Sequence, residues 1–377
     1  MKIGIMTFWD SNNNYGQVLQ LFALQNYLKK LGHEPFLIKY HRKEKVALAS
    51  TDIISKVFSK KLFSFISYKL NAGKRKVAAA YDLQRQFPVF KAAHLVYGAE
   101  DYYSFEELLA NPPAADVYFS GSDQVWNNHF KYSAEPFLLG FGDAKIRRVS
   151  YAASLGQASL TEKDTQLFSK YLDALDYISV REEQSIPLLA PLTKKPIALV
   201  LDPTFLFLKE EWASLLQLKA TPQAESKIFI YTLGNSEIKD KAKFIQYAKS
   251  MPTYKVVHAT ANNDFSGNAY PTVEGWLEVI GQSELVITTS FHAVVFCIIH
   301  QVNFIVLPNS GESAGMNERI ISLLQMLDLE DHIMAEFDEQ QFLSILHKQV
   351  KWDFVELILS AYRQVSQDFF KHALSSE

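Results

Sequence analysis

Residues 1–40 read MKIGIMTFWDSNNNYGQVLQLFALQNYLKKLGHEPFLIKY and predict the fold of the chain. Residues 2–8 are rich in isoleucine and alternate between apolar and other side chains, which is typical of a β-strand. Between residues 18 and 31, a valine and four leucines recur at spacings of three and four, as on the apolar face of a helix. Gly32 ends this helix, and residues 35–40 form a second predicted strand. A helix that joins two parallel strands predicts an α/β sheet with a right-handed crossover.

The alternation of strands and helices continues along the chain and divides it into two halves. In the first half, strands are predicted up to residue 201, and a second set of strands and helices runs from residue 227 to residue 307. We therefore predict two Rossmann-like domains that face a cleft. Their expected limits are 1–206 and 225–340, followed by a helical tail at 341–377. Because ligands of open α/β sheets bind beyond the carboxyl ends of the strands, the site is expected in the cleft.

Composition and charge limit the classes to which the protein can belong. Its 377 residues are 48% hydrophobic and 21% charged, which is ordinary for globular domains and excludes a disordered or fibrous protein. A net charge of −3 provides no basic field for nucleic acid. The single cysteine, Cys297, excludes an intrachain disulfide and a multi-cysteine metal site. With neither a signal peptide nor an apolar run of membrane-spanning length, the chain is expected in the cytoplasm.

A basic stretch interrupts the α/β pattern, and we predict a helical insertion at about 42–110. Within it, residues 42–76 carry ten lysines and arginines but only two acidic residues, Glu44 and Asp52. One interpretation is a solvated helical face, since runs of charge are weak signals of function. The other is peripheral contact with an anionic surface, either a glycan or the inner face of the plasma membrane.

Two predicted strand ends are followed by loops that suit an anion. The first loop contains Asn14 and Gly16; glycine lets the backbone approach a ligand closely, and the helix that follows presents free N–H groups. The alternative is a plain asparagine-rich turn. In the second loop, Ser290 and His292 begin a helix with an apolar body. The imidazole then lies beside free backbone N–H groups at the positive end of the helix dipole.

Two further loops carry side chains that suit sugar hydroxyls and anions. Residues 120–129 read SGSDQVWNNH and combine hydroxyls, a carboxylate, amides, an indole and an imidazole. Carboxylates and amides bind sugar hydroxyls, and an indole stacks on the face of a sugar ring, so this loop favours a sugar site. The alternative is a capped turn with a buried tryptophan. The candidate acceptor-binding residues are Ser122, Asp123, Gln124, Trp126, Asn127 and His129, with Asn309 after a later strand. Arg181 follows a short strand and can bind phosphate or carboxylate through two nitrogens; a surface arginine–glutamate pair is the alternative.

Taken together, these loops and their surroundings resemble the polysaccharide pyruvyl transferase family. The similarity is carried, in the family's order, by residues 1–32, GSDQVWN at 121–127, YISVREEQS at 177–185, LDPTF at 201–205 and ELVITTSFHAVVFCIIHQVNFIVLP at 284–308. It implies a GT-B-like fold of two domains without a metal. It also implies transfer of the enolpyruvyl unit of phosphoenolpyruvate to a sugar of a cell-surface glycan or its lipid-linked precursor, which gives a pyruvate ketal and phosphate.

The resemblance also implies roles for individual residues. The histidine of the SFH motif and the arginine of the SVRE motif serve the donor, and they fall on His292 and Arg181 as the catalytic residues. The residues expected to bind the donor are Asn14, Gly16, Ser290 and Arg148. Some family members carry an arginine where this chain has Ser290, so Arg147 or Arg148 would have to supply that charge. No cofactor is implied; phosphoenolpyruvate is a co-substrate, and a glycan or lipid-linked sugar is the acceptor.

Two other classes of function stay open on the sequence alone. A nucleotide-sugar glycosyltransferase of the GT-B type would have a similar two-domain build. A non-catalytic glycan-binding protein would need the sugar loop but no donor, and Ser290 in place of an arginine keeps this alternative open. The three classes differ in their ligand, which is phosphoenolpyruvate, a nucleotide sugar or a glycan alone.

Overall fold

The protein consists of two α/β halves, seen in a computed structural model that describes residues 1–10, 13–42, 80–128, 132–219, 225–233, 238–261, 266–311, 315 and 317–375. The strands are β1 (Lys2–Met6), β2 (Glu34–Tyr40), β3 (Tyr97–Tyr102), β4 (Val117–Ser120), β5 (Arg147–Ser150), β6 (Ile178–Val180), β7 (Ile197–Leu199), β8 (Lys227–Leu233), β9 (Lys255–Ala261), β10 (Leu285–Thr288) and β11 (Asn303–Val306). The helices are α1 (Tyr15–Lys30), α2 (Phe87–His94), α3 (Phe105–Ala110), α4 (Glu162–Tyr171), α5 (Ser185–Leu189), α6 (Lys209–Leu216), α7 (Lys241–Ser250), α8 (Val273–Gly281), α9 (Phe291–His300), α10 (Glu318–Leu327), α11 (Glu339–Leu346) and α12 (Trp352–Leu374). Residues 80–85 are also helical.

The N-terminal half is built on a five-stranded parallel sheet whose strand order is β3-β2-β1-β4-β5. This is the order of a Rossmann domain. The unit predicted from residues 1–40 is confirmed, since α1 joins β1 to β2 in parallel. The order of strands reverses between β1 and β4, so the loops after these two strands diverge and open a crevice. Strands β6 and β7 form a separate parallel pair.

Helix α1 is buried along most of its length because it lies between the two halves. The sequence pattern predicts one apolar face, yet Gln20 and Gln25 are also fully buried. At the start of the helix, Tyr15 stacks on Trp276 of the C-terminal half with ring centroids 5.1 Å apart. Its hydroxyl donates a hydrogen bond of 2.6 Å to the carbonyl of Pro271. The C-terminal half therefore covers a face of α1 that would be solvated in an isolated domain.

The C-terminal half is built on a four-stranded parallel sheet whose strand order is β11-β10-β8-β9. Helix α9 follows β10 and is apolar on all sides. Such a helix is stable only where it is surrounded by protein. It packs against α8, β11 and α1, and the last contact joins the two halves. His292, in the first turn of α9, is thereby brought to the junction.

The last helix, α12, returns to the N-terminal half. Phe370 lies 4.9 Å from Tyr27 and 4.2 Å from Tyr151 between ring centroids. Ser366 Oγ accepts a hydrogen bond from the backbone N–H of Leu201. The tail predicted at 341–377 thus contains α11 and α12. Helix α12 packs against both halves and stabilises their contact. In the described ranges no helix, α12 included, is long and apolar enough to cross a bilayer.

The prediction of a helical insertion at about 42–110 is wrong in one part. Residues Tyr97–Tyr102 form β3, which pairs with β2 at the edge of the sheet. This strand lacks a clear apolar alternation because Glu100 and Asp101 are exposed, as charged residues of edge strands often are. Residues 43–79 lie outside the described part of the chain. Contact of the basic stretch 42–76 with an anionic surface therefore stays a prediction.

Candidate active site

The candidate site lies where the two halves meet, at the carboxyl ends of their strands. Ser122 follows β4 and Arg181 follows β6, whereas His292 follows β10 in the other half. A hydrogen bond of 2.7 Å from the hydroxyl of Thr7 to the carbonyl of Ser122 ties the loop after β4 to the end of β1. Both halves therefore present strand ends to one crevice, as expected of open α/β sheets.

A buried carboxylate, Asp202, joins these residues. Arg181 Nη1 and Ser122 Oγ each donate a hydrogen bond of 2.7 Å to its Oδ2 atom. The Nε2 atom of His292 lies 3.5 Å from the same oxygen. The other oxygen, Oδ1, accepts hydrogen bonds from the backbone N–H and the hydroxyl of Thr204. Asp202 thus brings together three predicted site residues that come from three separate loops.

The pKa of Asp202 lies well below its usual value although the side chain is completely buried. Burial by itself would raise this pKa, because it penalises the charged form. The positive charges of His292 and Arg181 outweigh burial, and the hydrogen bond from Thr204 adds to them. The carboxylate therefore stays ionised and anchors the cationic side chains around it.

His292 lies between the N-termini of two helices. Asn14 caps α1 and Ser290 caps α9, each by accepting a backbone N–H of the first helical turn. Both residues therefore fix the start of the helix to which they belong. Gly16, in the first turn of α1, lies against the imidazole: a Cβ atom at this position would be 2.2 Å from Nδ1 of His292. The absence of a side chain at residue 16 is what allows the two helices to approach.

The loop after β4 is folded tightly onto the loop after β5. Asp123 has a φ of 82°, which non-glycine residues seldom adopt, and its carbonyl accepts from the backbone N–H of Ser154 at 3.1 Å. The side-chain amide of Asn127 donates to the carbonyl of Gly156 at 3.2 Å. Strained backbone of this kind concentrates at functional sites. The predicted acceptor loop is therefore rigidly held at the edge of the crevice.

Two polar atoms beside this loop are buried and lack a hydrogen-bond partner. They are Nε2 of Gln124 and Oε2 of Glu182. The second oxygen of Glu182 is already engaged, since it accepts from the hydroxyl of Ser154 at 2.7 Å. Buried polar groups in native proteins are nearly always paired, so an unpaired donor and an unpaired acceptor near one another indicate a polar ligand.

Two predicted site residues lie away from Asp202. Trp126 is fully buried in the core beside Phe168, and its indole N–H points to the carbonyl of Phe137. It offers no ring face to a sugar, so the prediction of stacking is wrong. The guanidinium of Arg148 donates to several backbone carbonyls within residues 139–146. Arg148 therefore holds that loop, and its guanidinium is not placed to bind the donor substrate.

Of the remaining predicted residues, Asn309 is buried after β11 and His129 lies outside the described residues. The backbone and side-chain N–H groups of Asn309 donate to Oδ1 of Asn317, at 2.9 and 3.2 Å. Asn317 immediately precedes α10. Asn309 thus sets the position of the first turn of that helix.

Sequence reasoning missed Asp202, Glu182 and Arg319 as site residues. Asp202 follows the end of β7 within LDPTF, so the rule that sites gather at strand ends could have found it. Glu182 adjoins Arg181, and the sequence indicates only a surface ion pair between an arginine and a glutamate. Arg319 lies inside a helix, where no local pattern marks a binding residue.

Arg319 completes the charged cluster. Its Cζ atom lies 5.7 Å from the ring centroid of Phe291, and Cζ of Arg181 lies 4.2 Å from the same ring. Its Nη1 atom is 3.9 Å from Oδ1 of Asp123. In the described part of the chain, no group of three or more His, Cys, Asp or Glu residues is placed to hold a metal ion. The arrangement suits anion binding by two arginines and proton transfer by His292.

Solved structures similar to this chain share its two-domain build. The UDP-GlcNAc 2-epimerase of Methanocaldococcus jannaschii, solved with UDP-GlcNAc and UDP, has a TM-score of 0.51 and 13% identity, over 96% of this chain and 99% of that one. A putative UDP-N-acetylglucosamine 2-epimerase from Listeria monocytogenes has a TM-score of 0.50 and 10% identity, over 100% and 97%. At such low identity the likeness shows the fold alone. The predicted fold, two Rossmann-like domains in a GT-B-like arrangement, is confirmed.

The family is identified by a comparison of sequence rather than of fold. No curated protein matches the chain. A sequence model described as polysaccharide pyruvyl transferase matches residues 14–311. The matched region includes Asn14 at the start of α1, the loop after β4, Arg181, Asp202 and His292. The chain therefore belongs to the polysaccharide pyruvyl transferase family.

Proposed function

We propose that this protein transfers the enolpyruvyl unit of phosphoenolpyruvate to two hydroxyls of a sugar, giving a pyruvate ketal and phosphate. The sugar would belong to a cell-surface glycan or its lipid-linked precursor. Membership of the family supports pyruvyl transfer in general. The observation that carries the proposal is the cluster of Ser122, Arg181 and His292 around Asp202. It combines a guanidinium group for an anion with an imidazole for a proton.

Ketal formation needs a defined movement of protons and bonds. The methylene carbon of phosphoenolpyruvate gains a proton, and the bond between C2 and the phosphate oxygen breaks. Two sugar oxygens bond to C2, and each loses its proton. One of these protons balances the proton that the methylene carbon gains. The other is taken up by the departing phosphate or by a base. We assign the proton donation to His292. Its Nε2 atom lies 3.5 Å from Oδ2 of Asp202, so the carboxylate balances the charge of the imidazolium that donates the proton.

Arg181 is suited to hold the anionic groups of the donor. Its Nη1 atom is bound to Asp202, whereas Nε and Nη2 have no hydrogen-bond partner. A guanidinium fork binds a carboxylate or phosphate through two parallel hydrogen bonds. The ion pair with Asp202 fixes the orientation of the fork, so little conformational entropy is lost when the donor binds.

The sugar acceptor is best placed on the side of Gln124 and Glu182. Sugar hydroxyls both donate and accept hydrogen bonds, which matches the unpaired amide N–H of Gln124 and the unpaired oxygen of Glu182. A carboxylate that accepts a hydroxyl proton would also serve as the base that ketal formation requires. Ser122, which bonds to Asp202, lies next to this region along the chain.

Replacement of Arg181 by lysine should raise the KM for phosphoenolpyruvate about tenfold with little change in the KM for the acceptor. Lysine keeps the charge and can keep the ion pair with Asp202, but it loses the planar fork. Steady-state kinetics with each substrate varied in turn measures the effect. If only the KM for the acceptor changes, Arg181 belongs to the sugar site instead.

Replacement of Gly16 by alanine should lower kcat about ten- to hundredfold, because the added methyl group must displace the imidazole of His292. The melting temperature should fall as well, because Gly16 is buried against His292 and α1 is packed along most of its length. The matched control is Gly275→Ala in α8, where the nearest atom, Thr272 Oγ1, would be 3.3 Å from the new Cβ. Wild-type kcat in Gly16→Ala would contradict the assignment of His292 to the reacting center.

The function itself is tested by release of phosphate from phosphoenolpyruvate against a panel of lipid-linked acceptor sugars. Acceptor-dependent release, with a product heavier by the pyruvate ketal, supports the proposal. The GT-B-like fold also suits a nucleotide-sugar glycosyltransferase, so the same panel is run with nucleotide sugars. Transfer from a nucleotide sugar without transfer from phosphoenolpyruvate would replace the proposal by that alternative. Binding of glycan without either reaction would indicate a non-catalytic protein.

A further inference from the structure

A cavity of about 200 Å³ adjoins Asp202. Arg181 and Arg319 both line it, and both guanidinium groups lie against the ring of Phe291. The rest of the wall mixes apolar and polar side chains: Leu199, Val200, Leu201, Phe205, Leu323 and Met326 with Glu183, Ser322, Gln325 and Tyr362. Two buried cations therefore share one small cavity with a wall of mixed polarity.

Three guanidinium nitrogens of these arginines have no hydrogen-bond partner. They are Nε and Nη2 of Arg181 and Nε of Arg319. The side chain of Arg181 is only 3% exposed and that of Arg319 is 10% exposed. A buried charged donor that is left unpaired destabilises a protein more than a neutral one does. Three such nitrogens beside one cavity indicate a ligand that accepts hydrogen bonds and carries negative charge.

The neighbouring carboxylates do not meet this demand. Both oxygens of Asp202 are occupied by the hydrogen bonds described above. Glu182 Oε2 is 3.9 Å from Nε of Arg181, and Asp123 Oδ1 is 3.9 Å from Nη1 of Arg319, which are too long for hydrogen bonds. Burial, together with the charge of Arg181, lowers the pKa of Arg319 to about 10, so the guanidinium of Arg319 still carries its charge at neutral pH. An anion between them would relieve their mutual repulsion.

We propose that Arg319 and Arg181 together bind one phosphate or carboxylate group of a small ligand in this cavity. That this group belongs to phosphoenolpyruvate rests on the proposed function. The cavity is smaller than the roughly 300–1,000 Å³ of sites for drug-sized ligands, which favours a compact anion over a nucleotide sugar. The geometry also accounts for Ser290, because a second arginine reaches the site from α10 rather than from the start of α9.

The proposal is tested by titration calorimetry of the full chain with inorganic phosphate, phosphoenolpyruvate and pyruvate. Arg319→Lys keeps the charge without the planar fork, and Arg319→Gln removes the charge. Both variants should bind phosphate and phosphoenolpyruvate about ten- to hundredfold more weakly. A similar loss with pyruvate shows that the cavity also accepts a carboxylate, and a loss confined to the two phosphate compounds assigns it to a phosphate; either result supports the anion site.

The matched control is Arg148→Lys, which makes the same chemical change in another buried arginine. The guanidinium of Arg148 donates to backbone carbonyls of Leu139 and Phe141, which do not line the cavity, so anion binding should be unchanged. Unaltered binding in both Arg319 variants, with native circular dichroism, overturns the proposal, as does a wild-type protein that binds none of the three anions. Phosphate binding that depends on Arg319, in a protein that releases no phosphate from phosphoenolpyruvate, supports the anion site and contradicts the proposed function alone.

Discussion

Replacement of His292 by alanine should lower the rate of pyruvyl transfer about 10²–10⁴-fold, which is the usual effect of losing one positioned acid–base group. The imidazole is an acid–base group that lies beside Asp202 in the described cluster, 3.5 Å from its Oδ2 atom. The fold should survive, because the rest of α9 is held by the buried residues Val294, Val295 and Phe296. Single-turnover measurement of phosphate release reports the chemical step directly.

The control for this experiment is His300→Ala, at the other end of the same helix. Burial lowers the pKa of His300 to about 4, so this imidazole is neutral under assay conditions and far from the crevice along α9. Its loss should change the melting temperature more than the rate. Near-normal turnover in His292→Ala, with His300→Ala also active, would remove His292 from the reaction and leave it as a packing residue between α1 and α9.

Replacement of Asp202 by asparagine should destabilise the protein by about 3–5 kcal/mol at neutral pH, because it leaves a buried arginine without its counter-charge. The effect should depend on pH with a definite sign. The folded pKa of Asp202 is depressed below the usual value of 3.8, so its ionic contribution is present above that pH and is lost as the pH falls toward the folded pKa. The difference in melting temperature between wild type and variant should therefore be largest above about pH 5 and should shrink below about pH 4.

Thermal unfolding of both proteins between pH 3 and pH 8 checks this prediction. The control is Glu336→Gln, which breaks an ion pair with Lys239 whose side chains are 66% and 60% exposed. Such an exposed pair is screened by solvent and contributes little to stability, so the variant should show little effect at any pH. A difference for Asp202→Asn that stays constant across the whole pH range would mean that the carboxylate acts through shape and hydrogen bonding rather than through charge.

Much of the architecture follows from local patterns in the sequence. The spacing of apolar residues after residue 18 predicts α1, and the isoleucine-rich residues before it predict β1. The same reasoning placed Ser122, Arg181 and His292 at strand ends, where the structure brings them around Asp202. It failed for β3, because an exposed edge strand has no apolar alternation from which to recognise it.

The sequence predicted the position of a loop better than the contacts of the individual side chains within it. Trp126 and Gln124 belong to the same short segment, yet the tryptophan packs into the core and the amide of Gln124 stays unpaired. The family resemblance assigns Arg148 to the donor site because this chain has Ser290 where some members carry an arginine. Backbone carbonyls of the loop before Arg148 accept hydrogen bonds from its guanidinium instead. Composition marks a polar loop but does not reveal which of its members have partners elsewhere.

Periodicity and motifs within short stretches of chain were enough to predict the two Rossmann-like halves, the strand ends that carry polar loops, and the family. They did not show that Asp202 joins Ser122 to Arg181, that Gly16 touches His292, or that Arg319 lies against Phe291. Those contacts link residues that are far apart along the chain. The first forms because the ends of β4, β6 and β7 meet in the N-terminal half, and the other two form because α9 packs against α1 and α10.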